Sequence, residues 1–107
     1  MEKKKLLKIY IDSEDRYNGK ALWKVILTKA KRNKLAGATV FKAVAGMGSH
    51  SEIHTIDLLS LSINLPIIIE IVDEQKKIED FLNILDEVIE EGLVTVQDIE
   101  VKIYKHR

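Results

Sequence analysis

The first third of the chain shows a strand pattern followed by a helix pattern. Residues 6–11 alternate apolar and polar side chains, which is the period of a strand with one buried face. Between Gly19 and Leu35, apolar residues recur every three or four positions, and this spacing predicts an amphipathic helix. We expect Gly37 to end that helix, because glycine is common just beyond a helix C-terminus.

Four further elements and one short extended piece follow from the same kind of pattern. Pro66 opens an apolar run that is interrupted only by Glu70, which predicts a strand with apolar side chains on both faces. The elements predicted after Gly37 are, in order, a strand at 38–45, the strand at 67–72 that follows Pro66, and a helix between Asp73 and Gly92. A short extended piece at 93–96 and a strand at 99–104 follow.

The order β-α-β-β-α-β over residues 1–107 predicts a single α+β domain. We expect a ferredoxin-like βαββαβ sandwich, in which both helices cover one face of an antiparallel four-stranded sheet. The side chains predicted to face the helices are Leu7, Ile9, Ile11, Ile67, Ile69, Ile71, Ile99, Val101 and Ile103. The opposite face would show Lys8, Tyr10, Ile68, Glu70, Val72, Lys102 and Tyr104, and such a half-apolar face predicts association between subunits.

A long polar segment, residues 47–64, separates the second and third predicted strands. We expect no regular structure in it before Leu65 and expect residues 47–61 to be the most mobile part of the free protein. A connection of this length in a small domain indicates a functional loop. His50 and His54 have a metal-ligand spacing, but that spacing has meaning only on a helix, so solvated histidines remain the alternative. We expect no metal site there, and we expect His50, beside the glycines, to meet a ligand or a neighbouring subunit.

Composition removes several classes of protein. Lys plus Arg and Asp plus Glu both number 17, so the net charge is +0, which argues against nucleic-acid binding. The absence of cysteine excludes disulfides and thiolate metal sites. Lys8 and Asp12 interrupt the N-terminal apolar run, so we predict a strand rather than a signal peptide, and a cytoplasmic protein.

Few residues suggest chemistry by themselves. Gly46-x-Gly48 could cradle a phosphate with backbone N–H groups, although it could equally be a simple strand end. Arg16 precedes the first helix, where its guanidinium could reach a phosphate or serve only surface packing. Ser49 lies near histidines, but no acidic residue is evidently placed to orient a base. We therefore expect a binding protein and not an enzyme.

Five segments together resemble the nitrogen-regulatory PII superfamily, and most closely its uncharacterised PII-like family. The segments are Asp15-Arg16-Tyr17 with Gly19, residues 35–40, Gly46-Met47-Gly48-Ser49-His50 with Ile53-His54-Thr55, residues 65–73, and Gly92-Leu93-Val94-Thr95. They span nearly the whole chain in the order that the family shows. Each segment alone is common, and the set is specific.

The resemblance implies a homotrimer that binds an adenine nucleotide, ADP, ATP or AMP, in clefts between subunits. It also implies that residues 47–64 form an effector loop that regulates a protein target, with membrane transporters or channels among the candidates. With Lys42 and Arg16 added as sources of positive charge, the candidate nucleotide-binding residues are Gly46, Met47, Gly48, Ser49, His50, Gly92, Leu93, Val94, Thr95, Lys102, Lys105, Lys42 and Arg16.

Two departures from PII proper affect what the resemblance implies. The loop contains no tyrosine, so control by uridylylation is not expected, and Gly92 is the single glycine after the second helix. The alternative function is a trimer of the same architecture that binds divalent cations, similar to the divalent-cation tolerance proteins. Binding of adenine nucleotides, compared with binding of zinc and copper, separates the two.

Overall fold

Six main elements make up the described part of the chain, which is residues 1–47, 54–55 and 64–106 of a computed structural model. In chain order they are β1 (Glu2–Asp12), α1 (Leu22–Arg32), β2 (Thr39–Lys42), β3 (Pro66–Asp73), α2 (Gln75–Val88) and β4 (Leu93–Val101). Two short ladders pair Arg16–Tyr17 with Lys20–Ala21 and Ala45–Gly46 with His54–Thr55. Neither helix in these ranges is long and apolar enough to span a bilayer.

The main sheet has the order β2-β3-β1-β4, and every neighbouring pair of strands is antiparallel. β1 lies beside both β3 and β4, with Ile9 opposite Ile69 and Leu7 opposite Ile71. These four side chains are almost completely buried, which explains why the most regular apolar alternation occupies the middle of the sheet. The predicted α+β architecture of four antiparallel strands and two helices is confirmed.

The core lies between the sheet and the two helices. α1 buries Leu22, Ile26 and Ala30, which recur every four residues and so share one face of the helix. The buried residues of α2 are Ile78, Phe81, Leu85 and Val88. Burying each large apolar side chain contributes about 1.5–3 kcal/mol, so this layer accounts for much of the driving force for folding.

The last strand differs most from its prediction. β4 begins at Leu93 and ends at Val101, six residues earlier at its start than the predicted strand. Val94 pairs with Ile9 and therefore shares the helix-facing side, whereas Ile99 pairs with Lys4 on the open side. The prediction that Ile99, Val101 and Ile103 face the helices was therefore wrong, and Ile103, Lys102 and Tyr104 follow the end of the strand. The period-two pattern fits either phase, and pairing with β1 decides between them.

The other boundaries shift for local reasons. α1 starts three residues after Gly19, because that glycine (φ 79°) lies in the turn of the Arg16–Ala21 hairpin. The helix ends at Arg32 and not near Gly37, since Lys34 (φ 58°) adopts the left-handed conformation expected of a terminating glycine. α2 likewise ends at Val88, before Gly92.

The predicted second strand is split into two parts. β2 ends at Lys42, and pairing resumes at Ala45–Gly46 in a separate ladder with His54–Thr55. The expectation that no regular structure occurs before Leu65 was therefore wrong for His54–Thr55. The predicted mobility of residues 47–61 falls almost wholly outside the described residues.

The face of the sheet turned away from the helices is about half apolar. Its register places Lys8, Tyr10, Ile68, Glu70 and Val72 on this side, as predicted. The cross-strand ion pair between Lys8 Nζ and Glu70 Oε2 measures 3.9 Å. Exposed or half-buried apolar side chains surround that pair, namely Leu6, Tyr10, Phe41, Ile68, Val72, Leu93, Ile99 and Val101. We call this surface the open face.

Candidate functional site

Two glycine-containing turns meet the sheet where β1 ends. Asp12, the last residue of β1, pairs with Pro66, and Pro66 in turn lies against Gly46. On the other side of the strand, Gly92 lies against the backbone of Tyr10. Segments more than forty residues apart in sequence thus come together at one edge of the molecule. We call this edge the glycine end.

Gly46 is required by close packing. A Cβ atom at this position would lie 2.5 Å from Cγ of Pro66, closer than real contacts allow. The residue is strand-paired with His54, so it extends regular structure where we had expected the Gly-Met-Gly turn to end it. Met47 is 73% exposed beside it. Three other candidates of this turn, Gly48, Ser49 and His50, lie outside the described residues.

Gly92 is also required by close packing, because its Cβ would lie 2.9 Å from the carbonyl oxygen of Tyr10. The candidates that follow it, Leu93, Val94 and Thr95, are the first residues of β4, where we had predicted only a short extended piece. Among the described residues β4 is an edge strand, with β1 as its one neighbour. Alternate N–H groups of an antiparallel edge strand point away from its neighbour, so they can donate to a ligand or to another subunit.

The basic candidates divide between the two ends of the sheet. Lys42 pairs with Ile67, next to Pro66, and Arg16 follows the β1 end, so both belong to the glycine end. Lys102 and Lys105 follow the far end of β4, where Val101 pairs with Glu2. With about 3.3 Å per residue, the nine residues of β4 span roughly 26–30 Å. One nucleotide therefore cannot touch Gly92 and Lys102 of the same chain.

Carboxylates form a feature of the glycine end that our sequence reasoning missed. Asp15 accepts a hydrogen bond from the backbone N–H of Asp12 at 2.9 Å. Partial burial, with smaller contributions from the charges of Asp12 and Glu91, raises the pKa of the Asp15 carboxyl. In the sequence this carboxylate cluster was indicated by the turn-forming residues 12–15, which we had interpreted only as the end of the first strand. A phosphate bound here needs cationic neighbours to offset these charges.

A second missed feature anchors the strand that follows the long polar segment. The N–H of Ser13 donates to the carbonyl of Leu65 at 2.9 Å, and the N–H of Leu65 donates to Ser13 Oγ at 3.1 Å. The N–H of Ala43 also donates to the carbonyl of Pro66 at 2.9 Å. Both sides of the segment are thus tied to the glycine end.

Metal-binding groups are not assembled in the described ranges. Within residues 1–47 and 64–106, no three His, Asp or Glu side chains are placed to hold one ion. His50, the histidine singled out in the sequence, lies outside those ranges.

Comparison with known proteins identifies the family. The model of the DUF190 family, described as "Uncharacterized ACR", matches residues 4–101. A UPF0166 protein of Aquifex aeolicus is 42% identical over 99 residues, which cover 92% of this chain and 93% of the relative. A UPF0166 protein of Methanocaldococcus jannaschii is 40% identical over 102 residues, with 94% of each chain covered.

Solved structures share the architecture at low sequence identity. CPII of Thiomonas intermedia, a nitrogen regulatory PII-like protein bound to ADP, AMP and bicarbonate, superimposes with a TM-score of 0.70. It is 20% identical, and the alignment covers 94% of this chain and 96% of that chain. A protein of Thermus thermophilus named for PII-like signaling gives a TM-score of 0.65 at 21% identity, covering 91% and 87%. The chain belongs to the DUF190 (UPF0166) family, and its fold is that of the PII-like proteins.

Proposed function

We propose that this protein is a PII-like regulator, a homotrimer that binds an adenine nucleotide in clefts between its subunits. The observation that carries the proposal is the division of the candidate residues: the glycine turns lie at one end of the sheet and Lys102 at the other. A site that uses both sets is complete only where two subunits meet. The ADP and AMP bound to CPII, which has the same fold, support the choice of ligand.

The open face supports the trimer. Phe41, Val72 and Leu93 are 46%, 37% and 57% exposed on it, while the helices cover only the opposite side of the sheet. Burial of such a patch between subunits gains about 25 cal/mol for each Å² of apolar surface. Association through the open face leaves the glycine end at the periphery of the contact, where a cleft between subunits can form.

The glycine end can hold phosphates without a dedicated anion pocket in one subunit. Edge N–H groups of β4, together with Arg16 and Lys42, supply donors from one chain. Lys102 and Lys105 supply charge from the neighbouring chain. These cations offset the carboxylates of Asp12 and Asp15, which would otherwise repel a polyphosphate.

Binding would be communicated through the segment that leaves the glycine end. Gly46 belongs both to the proposed site and to the ladder with His54–Thr55, so a ligand at Gly46 acts on residues 47–64 directly. We expect the ligand to bias the conformations of that segment and thereby the surface that a cytoplasmic target meets, such as the inner side of a membrane transporter or channel. The nucleotide serves as a signal and leaves unchanged, so the protein is not an enzyme.

Calorimetry with ATP, ADP and AMP, alongside Zn²⁺ and Cu²⁺, tests the proposal. We expect saturable binding of an adenine nucleotide, near one per subunit, and recovery of the nucleotide intact. Sedimentation equilibrium should give a trimer. Metal binding without nucleotide binding would instead support the cation-binding alternative, and a monomer would remove the shared site.

Mixed trimers test whether each site is shared. Arg16→Ala with Lys42→Ala removes one side of the site, and Lys102→Ala with Lys105→Ala removes the other. Each double variant should lose most nucleotide affinity as a homotrimer. When the two are refolded together in equal amounts, about a quarter of the sites should regain native affinity, because sites at a heterologous contact take one side from each subunit. No recovery on mixing would contradict a shared site.

A further inference from the structure

Charge is strongly segregated within this neutral chain. Residues 18–36, which include α1, contain six basic side chains and no acidic one, whereas residues 78–91 contain six acidic side chains and no basic one. The total nevertheless cancels to +0. The two helices therefore carry opposite charge on their solvent-exposed sides.

The basic charge is concentrated where α1 ends. We call Lys29, Lys31, Arg32 and Lys34 the basic surface; α2 begins beside it, since Lys77 Nζ donates to the Lys34 carbonyl at 2.8 Å. Within the part of the chain that the structure describes, none of these four side chains forms an ion pair. In the same ranges, Lys4, Lys5, Lys8 and Lys76 all do.

A shallow, open depression on α1 adjoins the basic surface. An open depression of about 390 Å³ is lined by Leu27, Thr28, Lys31 and Arg32. The half-buried Leu27 gives it an apolar part between the charged side chains. A partner can therefore make van der Waals contact here as well as ionic contact.

The acidic charge is concentrated at the opposite end of the helix layer. We call Asp86, Glu87, Glu90 and Glu91 the acidic surface; all four are exposed, and none forms an ion pair with another described residue. Gly92, which follows them, packs on Tyr10 near the start of α1, so the two helices run in opposite directions. Carboxylates at a helix C-terminus oppose the helix dipole, and the last turn of α2 contains no basic residue to offset them.

We propose that the basic surface of one copy docks on the acidic surface of a second copy, so that assemblies of this protein associate end to end. Both surfaces are uncompensated within the described part of the chain, and each is the chemical complement of the other. Because the chain is neutral, adding copies accumulates no net charge. A single exposed ion pair contributes little, but a trimer presents three such contacts at once. The acidic surface borders Gly92 at the glycine end, but the association needs no nucleotide; its strength rests on the proposed trimer.

Salt dependence is the first test. Sedimentation velocity of the purified protein at about 20 mM and about 500 mM NaCl compares weak with strong screening. We expect species larger than the proposed trimer at low salt, and we expect these species to disappear at high salt. Identical sedimentation at both salt concentrations would overturn the proposal.

Charge reversal identifies the surfaces. Lys31→Glu with Arg32→Glu cancels the net charge of the basic surface, and Glu87→Lys with Glu90→Lys cancels that of the acidic surface. Each variant should keep its circular dichroism spectrum and the proposed trimer, but it should no longer form larger species at low salt. The first variant keeps the acidic surface and the second keeps the basic surface, so mixing them should restore the contact between these two. Failure of mixing to restore larger species, or persistent association of either variant alone, would contradict end-to-end docking.

Anionic vesicles distinguish another occupant of the basic surface. Vesicles with about 30% phosphatidylserine attract exposed lysine clusters. If the wild-type protein bound them but never self-associated, the basic surface would be a membrane surface and the proposal would fail. We expect self-association without such binding at about 150 mM salt.

Discussion

Single atoms decide which glycines of this chain can be replaced. The Cβ atom that a substitution would add meets Pro66 at Gly46 and the Tyr10 carbonyl at Gly92, but at Gly37 it meets no atom of the described residues within 4 Å. The sequence alone does not distinguish these positions, because each looks like a turn glycine.

Gly92→Ala should therefore lower the free energy of unfolding by about 1–3 kcal/mol, the usual cost of overpacking. Gly37→Ala is the matched control and should change it by less than about 0.5 kcal/mol or stabilise slightly, since alanine restricts the unfolded chain. Urea unfolding of both variants measures the difference. Equal changes in unfolding free energy at the two positions would show that close packing on Tyr10 does not restrict the residue at position 92.

Asp73 is a buried carboxylate that joins two parts of the fold. It is 8% exposed, and it accepts hydrogen bonds from the N–H groups of Ala36 at 2.9 Å and of Glu74 at 2.7 Å. Asp73→Ala should lower the free energy of unfolding by about 1–3 kcal/mol, because two N–H groups lose their partner. Asp86→Ala, an exposed carboxylate with no described partner, should change urea unfolding far less.

Asp15 makes stability depend on pH in an unusual direction for a carboxylate. Its pKa is raised in the folded protein, mainly by burial, so folding disfavours its ionised form. Below the unfolded value of about 3.9 both states are protonated and there is no penalty. The penalty grows as the pH rises from there through the folded pKa, and it persists at neutral pH.

Asp15→Asn keeps an acceptor for the N–H of Asp12 but cannot ionise. Between about pH 4 and pH 7, the wild type should therefore lose stability relative to this variant, by the linkage between protonation and folding. Chemical denaturation of both proteins at the two pH values gives the comparison. A constant difference in unfolding free energy would show that Asp15 does not titrate with folding.

At the scale of elements, helical periodicity located both helices, while strand phase remained ambiguous. The stripes on α1 and α2 have few alternatives, because three or four buried positions must coincide on one face. In residues 93–101, a polar pair at Gln97 and Asp98 separates two alternating runs of opposite phase. Only long-range pairing with β1 decides which run faces the helices, and local sequence contains no record of that pairing.

The same limit applies to the site. Glycine end residues come from segments near 12, 46, 66 and 92, and the sequence indicated the glycines but not their partners, Pro66 and Tyr10. It also placed Lys102 within the last strand, whereas β4 ends one residue earlier, at Val101, at the end of the sheet away from the glycines. Types of element were predictable, and distances between elements were not.

The register of β4 can be tested with matched substitutions. Val94→Asp places a charge against the core and should prevent folding, since burying an unpaired carboxylate costs several kcal/mol. Ile99→Asp places it on the open face and should leave a folded chain that fails to form the proposed trimer. Circular dichroism and sedimentation equilibrium distinguish the outcomes. If Ile99→Asp unfolds the protein and Val94→Asp does not, the observed register is wrong.

At the scale of the whole molecule, an ion pair lies near the middle of the half-apolar open face. In the proposed trimer, Lys8 and Glu70 would be enclosed by the open faces of neighbouring subunits. Glu70→Leu should then weaken the trimer by about 3–5 kcal/mol, because Lys8 is left buried and unpaired. The double variant Lys8→Leu, Glu70→Leu should assemble about as well as the wild type or better. Dilution series in sedimentation equilibrium compare the three proteins. If Glu70→Leu formed trimers as stable as those of the wild type, the Lys8–Glu70 pair would be exposed to solvent in the assembly.

The hydrogen bonds between Ser13 and Leu65, and between Ala43 and Pro66, have a consequence for how this family can diversify. They fix both stems of residues 47–64 on the folded body, so the sheet does not depend on the length of chain between them. Doubling the length of a flexible closed segment costs only about 0.6 kcal/mol. The frame can therefore accept inserts of other lengths and compositions between Met47 and Asn64, and a recognition sequence could be exchanged there as a cassette while the scaffold stays the same.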